Sequence, residues 1–401
     1  MIDVGEQIVK TSRNEKLPEG CSVRIIRRLE EIEEIRGFWE EMQWHPDADL
    51  EFFLCAASLN EDLVKPHIIL LSRDGEPSAL IIGVIREGPI EWKVGYRSVF
   101  RTRARCLEIP YGGVLGEACY SNSVALIKEL IKCLSNREAD LVFLNHLKIG
   151  SAIHKMAKKM PRIFCRDHLS VQNDHWRLSL PESFEAFYQG RSRNTRGNIR
   201  QYANRLKRGM GDDLSIRCFQ EKGDVVRAMI DIEAVARLTY QRGLSVGFRN
   251  TLETRRKWLL AAKKGRLRAY VLYVKNSPRA FWTGYLYKKI FYSDATGYDP
   301  ALKHYHPGMF LLMRMVESFC LDEKVEGIDW GFGYVDYKRK YGSENWHESC
   351  VYIFAPNFKG VRLNVLRSLT TGLSQVAKIV LSRFDVLGVI KKRWRFRLTP
   401  R

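Results

Sequence analysis

A chain of 401 residues that is 45% hydrophobic and 11% aromatic has enough apolar side chain for two domain cores of about 100 to 200 residues each. This excludes one small module, a low-complexity scaffold and wholesale disorder. Its 66 Lys and Arg against 46 Asp and Glu give a formal charge of +20, a balance that favours an anionic partner: nucleic acid, a phosphorylated cofactor or acidic lipid headgroups.

In chain order, residues 1–21 are polar and read as a loose leader without the apolar core of a signal peptide. Over 27–43, Leu29, Ile32, Ile35, Phe38 and Met42 recur at spacings of three and four, which predicts an amphipathic helix. His67–Ser72 and Ala79–Ile85 flank Asp74-Gly75-Glu76-Pro77 and predict a hairpin. Ser123–Leu134 reads as a helix and Leu141–Leu144 as a buried strand. The second half repeats that order, with helices over 224–240 and 252–263. Strands follow over Leu267–Val274, Ala280–Leu286 and Ile290–Ala295, then an apolar helix Met309–Cys320 and a strand Gly327–Trp330. The expected organisation is a mixed α+β chain with domains over 22–178 and 179–358 and a basic helix and tail over 359–401.

The nine cysteines form no CxxC pair, so neither a metal site nor a disulfide framework is expected. Cys133 and Cys320, set in apolar helical patterns, read as small buried hydrophobes in a reducing compartment. No run of about 18 uncharged apolar residues occurs, so the expectation is a cytoplasmic protein with peripheral membrane contact allowed.

Two stretches hold most of the excess charge. Between Gly190 and Met210 lie Arg191, Arg193, Arg196, Arg200, Arg205, Lys207 and Arg208 without an acid. Ile199, Tyr202, Ala203 and Leu206 form an apolar stripe within it, so the segment reads as a helix packed on one face. Its other face is solvated, meets an anionic substrate or meets nucleic acid. In the tail, Leu363, Leu366, Leu369, Leu373, Val376, Val380, Phe384 and Leu387 form a stripe ahead of Lys391-Lys392-Arg393-Trp394-Arg395-Phe396-Arg397. Such a helix either lies on an anionic membrane surface or packs on the second domain.

The segment 289–345 carries the chemistry. A strand runs into Gly297-Tyr298-Asp299-Pro300 and His304-Tyr305-His306-Pro307-Gly308, which opens a helix whose free N–H groups and dipole suit a pyrophosphate. The same residues also suit an ordinary turn before a core helix. Asp329-Trp330-Gly331-Phe332-Gly333 then ends a short strand, and its glycines permit positive φ beside a ligand. Asp336-Tyr337-Lys338 follows.

This run resembles the tandem GNAT-like acyltransferases of the CelD/BcsL (BioF2-like) family, and residues 188–211 are also similar to a stretch of the Fem-type aminoacyltransferases. The resemblance covers about 180–350. It implies two GNAT folds side by side and acyl transfer from a thioester, acyl-CoA or acetyl-CoA, to an amine or hydroxyl of an envelope or exopolysaccharide precursor, the acceptor being a small molecule, saccharide or lipid. It assigns the CoA-phosphate loop to Lys303, His304, Pro307, Gly308 and Met309, although the usual Gln/Arg-x-x-Gly-x-Gly/Ala signature is replaced by Pro307-Gly308 alone. Aminoacyl-tRNA or acyl carrier protein therefore stay open as donors.

An amine nucleophile has to lose a proton and the developing oxyanion needs donors. The family pattern assigns Asp329 or Asp336 to the base or amine-orienting role and Lys338 to an anionic group. His306, with His304, would act as base or phosphate donor, and Tyr298 and Tyr337 would protonate the leaving thiolate or wall the pocket. Two alternatives are carried: a Fem-like, aminoacyl-tRNA-dependent transferase, and a non-catalytic nucleic-acid-binding protein.

Overall fold

The computed structural model describes residues 20–59, 64–95, 97–211, 213–244, 246–333 and 335–383. Most of the leader and the tail residues from Phe384 onward lie outside them.

The first half begins with β1 (Cys21–Ile26), a 3-10 turn (Glu30–Ile35), α1 (Arg36–Met42) and α2 (Leu50–Ala57). Six strands follow: β2 (Val64–Pro66), β3 (Ile68–Arg73), β4 (Glu76–Ile81), β5 (Val84–Val94), β6 (Arg97–Ile109) and β7 (Val114–Gly116). Then come α3 (Tyr120–Ser135), β8 (Leu141–Lys148), α4 (Ala152–Lys159) and β9 (Gln172–Ser179). The second half opens with α5 (Phe184–Gln189), α6 (Arg193–Met210), β10 (Leu214–Phe219), α7 (Val225–Leu238), α8 (Tyr240–Gly243) and α9 (Leu252–Lys263). It continues through β11 (Leu267–Val274), β12 (Ser277–Tyr287), β13 (Ile290–Tyr298), α10 (Pro307–Cys320), β14 (Gly327–Phe332), α11 (Asp336–Tyr341), β15 (Glu344–Phe354) and α12 (Phe358–Arg383).

The segment 27–43 is not one α-helix. Leu29, Ile32, Ile35 and Phe38 recur strictly by threes, the period of a 3-10 helix, and the first part adopts that form. The chain becomes α-helical at Arg36, where Trp39, 0% exposed, turns into the core.

Strands β1, β3, β4 and β7 form a four-stranded sheet, while the other eleven share one sheet in the order β10-β11-β12-β13-β14-β9-β15-β8-β6-β5-β2. The chain passes from one sheet to the other at Gly83, where a Cβ would sit 2.8 Å from the carbonyl oxygen of His67. Among the described residues each half contains one parallel pair: β6 with β8 over Cys106–Ile109 and Leu141–Leu144, and β13 with β14 over Ile290–Tyr292 and Gly327–Asp329. Because β13 and β14 pair over so few residues, their carboxyl ends part.

The final strands are exchanged. β9, which ends the first half, lies between β14 and β15, and β15 in turn pairs with β8 of the first half. A continuous sheet through both halves results, and three neighbouring strands bring residues distant in sequence side by side. The two faces of the second half are covered differently. Phe187, Leu206, Phe310 and Trp330 share a core built from α5, α6 and α10, whereas Val225, Ile232, Trp258 and Phe281 pack beneath α7 and α9. The halves are also joined by Asp49, 0% exposed, which accepts from Arg266 (2.8 Å) and from the Tyr287 hydroxyl (3.1 Å).

Helix α12 packs its start through Leu363 against Trp92, Cys106, Leu141 and Phe354, and leaves Leu369, Leu373, Val376 and Ile379 exposed. Among the described residues no helix is long and apolar enough to cross a membrane.

Candidate functional site

The exchange of β9 and β15 puts an ionisable network at the centre of the large sheet. His175 on β9 lies between two carboxylates: its Nε2 is 2.8 Å from Asp329 Oδ1 on β14, and its Nδ1 is 3.1 Å from Glu348 Oε2 on β15. All three side chains are nearly or fully buried. The indole of Trp346 stacks on the imidazole (4.3 Å between centroids) and donates to Glu348 Oε1 (2.6 Å), which also accepts from the Tyr111 hydroxyl (2.8 Å).

Burial alone would push His175 below its ordinary value, but the hydrogen bonds to Asp329 and Glu348 outweigh it and raise the imidazole to about 9. Glu348 is desolvated as well, yet its bond to His175 holds it below the usual carboxylate range. At neutral pH the imidazolium therefore compensates one of the two charges beside it. Asp329 also accepts the Gly331 N–H on Oδ1 (2.7 Å), which explains the need for a glycine at φ +66° just beyond it. Gly333 follows at φ +97°.

Lys338 joins this group. Its side chain is buried, its ammonium donates to the carbonyl of Phe332 (2.8 Å), and burial lowers it to about 8 against the opposing pull of Asp329. An aromatic wall closes the site. Tyr111 carries His45 edge-on (4.6 Å), His45 in turn meets Tyr292 on β13 (4.7 Å), and Phe332 stacks on His146 (3.6 Å). His146 sits at φ +46° opposite Cys350, where the register of β8 and β15 slips. Beside this wall, a cavity of about 290 Å³ between the halves is lined by Asp47, Phe52, Pro110, Phe143, Asn145 and Lys257.

Of the other sequence-predicted residues, Tyr298, Lys303, His304, His306, Pro307, Gly308 and Met309 fall into a second group at the start of α10. His306 adopts φ +54° at the N-cap, and its carbonyl accepts the N–H groups of Met309 (3.1 Å) and Phe310 (3.0 Å). With Pro307 lacking an N–H, Gly308 supplies the first-turn amide that these bonds do not use. The Tyr298 ring borders it, since a Cβ on Gly308 would lie 3.2 Å from Tyr298 Cδ1. On the other side the basic helix α6 brings Arg205 to His306 Nε2 (3.4 Å) and Tyr202 over its ring (5.2 Å). Burial, with Arg205 and His304 adding to it, lowers the His306 imidazole. Lys303 and His304 are exposed on the preceding 3-10 turn.

Asp336 begins α11 and is exposed. Tyr337 packs edge-on against Trp282 (5.4 Å) and Trp330 (5.8 Å) in the core on the α10 side, and burial raises its hydroxyl. The fold thus brings Asp329 and Lys338 together, gathers Tyr298, His306 and Gly308 elsewhere at the same carboxyl ends of β13 and β14, and places Asp336 and Tyr337 apart from both. His175, Glu348, Tyr111 and His45 escaped the sequence reading. The signal available was alternation: Asn173, His175 and Arg177, and again Trp346, Glu348 and Cys350, put polar and aromatic groups on every second residue, and of the two strands β15 alone ends in an apolar run, Val351–Phe354.

Residues 193–339 match the family described as Acetyltransferase (GNAT) domain. Comparison with curated proteins gives no match. Among solved structures the chain is similar to FemX, at a TM-score of 0.51 and 10% identity over 81% of this chain and 96% of that one. It is also similar to L-PGS from Bacillus licheniformis (0.47, 15%, 88% and 99%) and to a tandem GNAT protein from the clavulanic acid biosynthesis pathway (0.47, 8%, 84% and 99%). The chain has a mixed α+β fold of GNAT type, and the domain match supports an acyltransferase.

Proposed function

We propose that the chain transfers an acyl group from a thioester donor, acyl-CoA, to an amine or hydroxyl of an envelope or exopolysaccharide precursor. The observation that carries this reading is the position of Asp329: it sits where β13 and β14 part, buried and held by His175 and Gly331, on the strand next to the one that leads into α10.

In this reading the thioester enters between the parting strands. Its phosphates meet the Gly308 N–H, Arg205 and the exposed Lys303 and His304, while the acceptor occupies the cavity beside Tyr111 and Asn145. The acceptor nitrogen or oxygen attacks the thioester carbonyl carbon, its proton passes to Asp329, and the carbon–sulfur bond breaks. Tyr298 beside Gly308 donates a proton to the departing thiolate and is reprotonated from solvent, while Asp329 releases the acceptor's proton to solvent, so both groups are restored. His175 steadies the Asp329 carboxylate, and Glu348 with Tyr111 fixes the imidazole. The Lys338 ammonium balances negative charge that builds at the reacting centre.

A second reading, an aminoacyl-tRNA donor, is favoured by one observation: the seven-cation segment around α6 reaches the same α10 end through Arg205. The two are separated by following free thiol and acyl product with a panel of acyl-CoAs, and in parallel the deacylation of charged tRNA, each with amine and hydroxyl acceptors. Acceptor-dependent thiol release supports the first reading. Turnover of charged tRNA alone replaces it with the second, and salt-sensitive binding of unselected nucleic acid with neither turnover removes both.

A further inference from the structure

Outside this site, α3 ends in a Schellman motif. Arg137, left-handed at φ +61°, donates its N–H to Leu134 O (3.2 Å), and Glu138 donates to Cys133 O (3.1 Å). That motif brings the side chains of its first and last residues together, usually as an apolar pair. Here the pair is Cys133 and Glu138. His67, between β2 and β3, faces them with its side chain 1% exposed and neither ring nitrogen hydrogen-bonded. One ligand atom from each of the three residues lies within 4.8 Å of the other two. A buried imidazole with both nitrogens bare forfeits hydrogen bonds it would have in water, and native interiors avoid this unless another ligand supplies the partner.

We infer that His67, Cys133 and Glu138 bind a divalent cation of the zinc type. One thiolate, one imidazole nitrogen and one carboxylate oxygen form a donor set for a borderline-soft ion and not for Ca²⁺ or Mg²⁺. Glu138, a quarter exposed, opens the cluster to a water as fourth ligand. Binding replaces the Cys133 thiol proton with the metal and releases that proton to solvent. The positive group nearest the cluster is Arg27, 2.8 Å from Glu138 Oε2. It opposes the ion's charge but also fixes the ligating carboxylate, as outer partners of metal ligands do. The ion would tie the end of α3 to the β2–β3 junction and, through Arg27, to the residue after β1. This site is independent of the donor and acceptor assigned above. The absence of a CxxC spacing concealed it, because two ligands come from a helix-capping turn and the third from a strand junction.

The test titrates Co²⁺ into the full-length, chelator-treated protein. The expected result is a thiolate-to-cobalt charge-transfer band in the near ultraviolet that saturates at one equivalent and is bleached by Zn²⁺. The band should vanish in Cys133→Ala, and Glu138→Gln, on the open rim where folding is least at risk, should weaken Co²⁺ binding about tenfold or more. Circular dichroism of each variant establishes that it is folded. A native protein without the band overturns the inference, as does a band unchanged in both variants, which would assign it to another cysteine.

Discussion

Replacing His175 by Gln removes the cation that lies between Asp329 and Glu348 while leaving a side chain able to hydrogen-bond. The rise of the imidazole from its ordinary 6.5 to about 9 corresponds to about 3 kcal/mol of stability. Because the folded value is the higher one, that contribution is complete below about pH 6.5, shrinks between 6.5 and 9, and is gone above about 9. Lys338 acts in the opposite sense. Its folded value of about 8 lies below the ordinary 10.5, so the cost of burying its ammonium is full below 8 and is relieved as pH rises from 8 to 10.5. Lys338 is present in both proteins, so subtracting the variant from the native protein cancels most of its effect. Urea unfolding followed by circular dichroism, at about pH 6 and again at about pH 9.5, should show the gap in stability narrowing by about 3 kcal/mol. A gap that does not change with pH would refute the assignment of His175 as an imidazolium between two carboxylates, and so would a variant as stable as the native protein at pH 6.

Four further outcomes follow from the same geometry. Asp329→Asn keeps shape and hydrogen-bonding capacity but removes the proton acceptor, and should lower turnover about 100-fold or more in a steady-state assay while the unfolding transition remains cooperative. If the Lys338 charge serves the reaction, activity should fall as pH rises through about 8; Lys338→Met should abolish that limb of the pH profile and Lys338→Arg should move it upward. Gly308→Val places branched atoms against the Tyr298 ring, 3.2 Å from the Cβ position, and should raise KM for the thioester several-fold more than it lowers kcat. On α12, the exposed Leu369, Leu373 and Val376 lie among Arg362, Lys378 and Arg383, so changing all three to Ser should reduce sedimentation with anionic vesicles; unchanged sedimentation would reject a membrane role for this stripe.

Elements whose apolar residues follow one period were legible in the sequence. The helices containing Ile127, Trp258 and Phe310, the hairpin around Asp74-Gly75, and the buried run Leu267–Val274 lie where the pattern puts them. The segment from Leu29 to Met42 was misread because spacings of three and four occur together there, and only packing decides which helix forms. Strands β9 and β15 were missed for a different reason. His175, Glu348 and Trp346 interrupt the apolar alternation because they line the proposed site, so local pattern fails where function requires polar groups inside. Asp329 could be singled out from its flanking glycines. Its partners could not, since their proximity arises from the exchange of β9 and β15, a pairing across 154 and 173 positions for the two contacts of His175.

The most direct measurement is acceptor-dependent release of free thiol from acyl-CoA by the purified protein, run beside Asp329→Asn under identical conditions. The account predicts release by the native protein, with the acyl group recovered on the amine or hydroxyl, and a loss of about 100-fold in the variant. Equal rates from the two proteins, or no thioester cleaved with any acceptor, would contradict it.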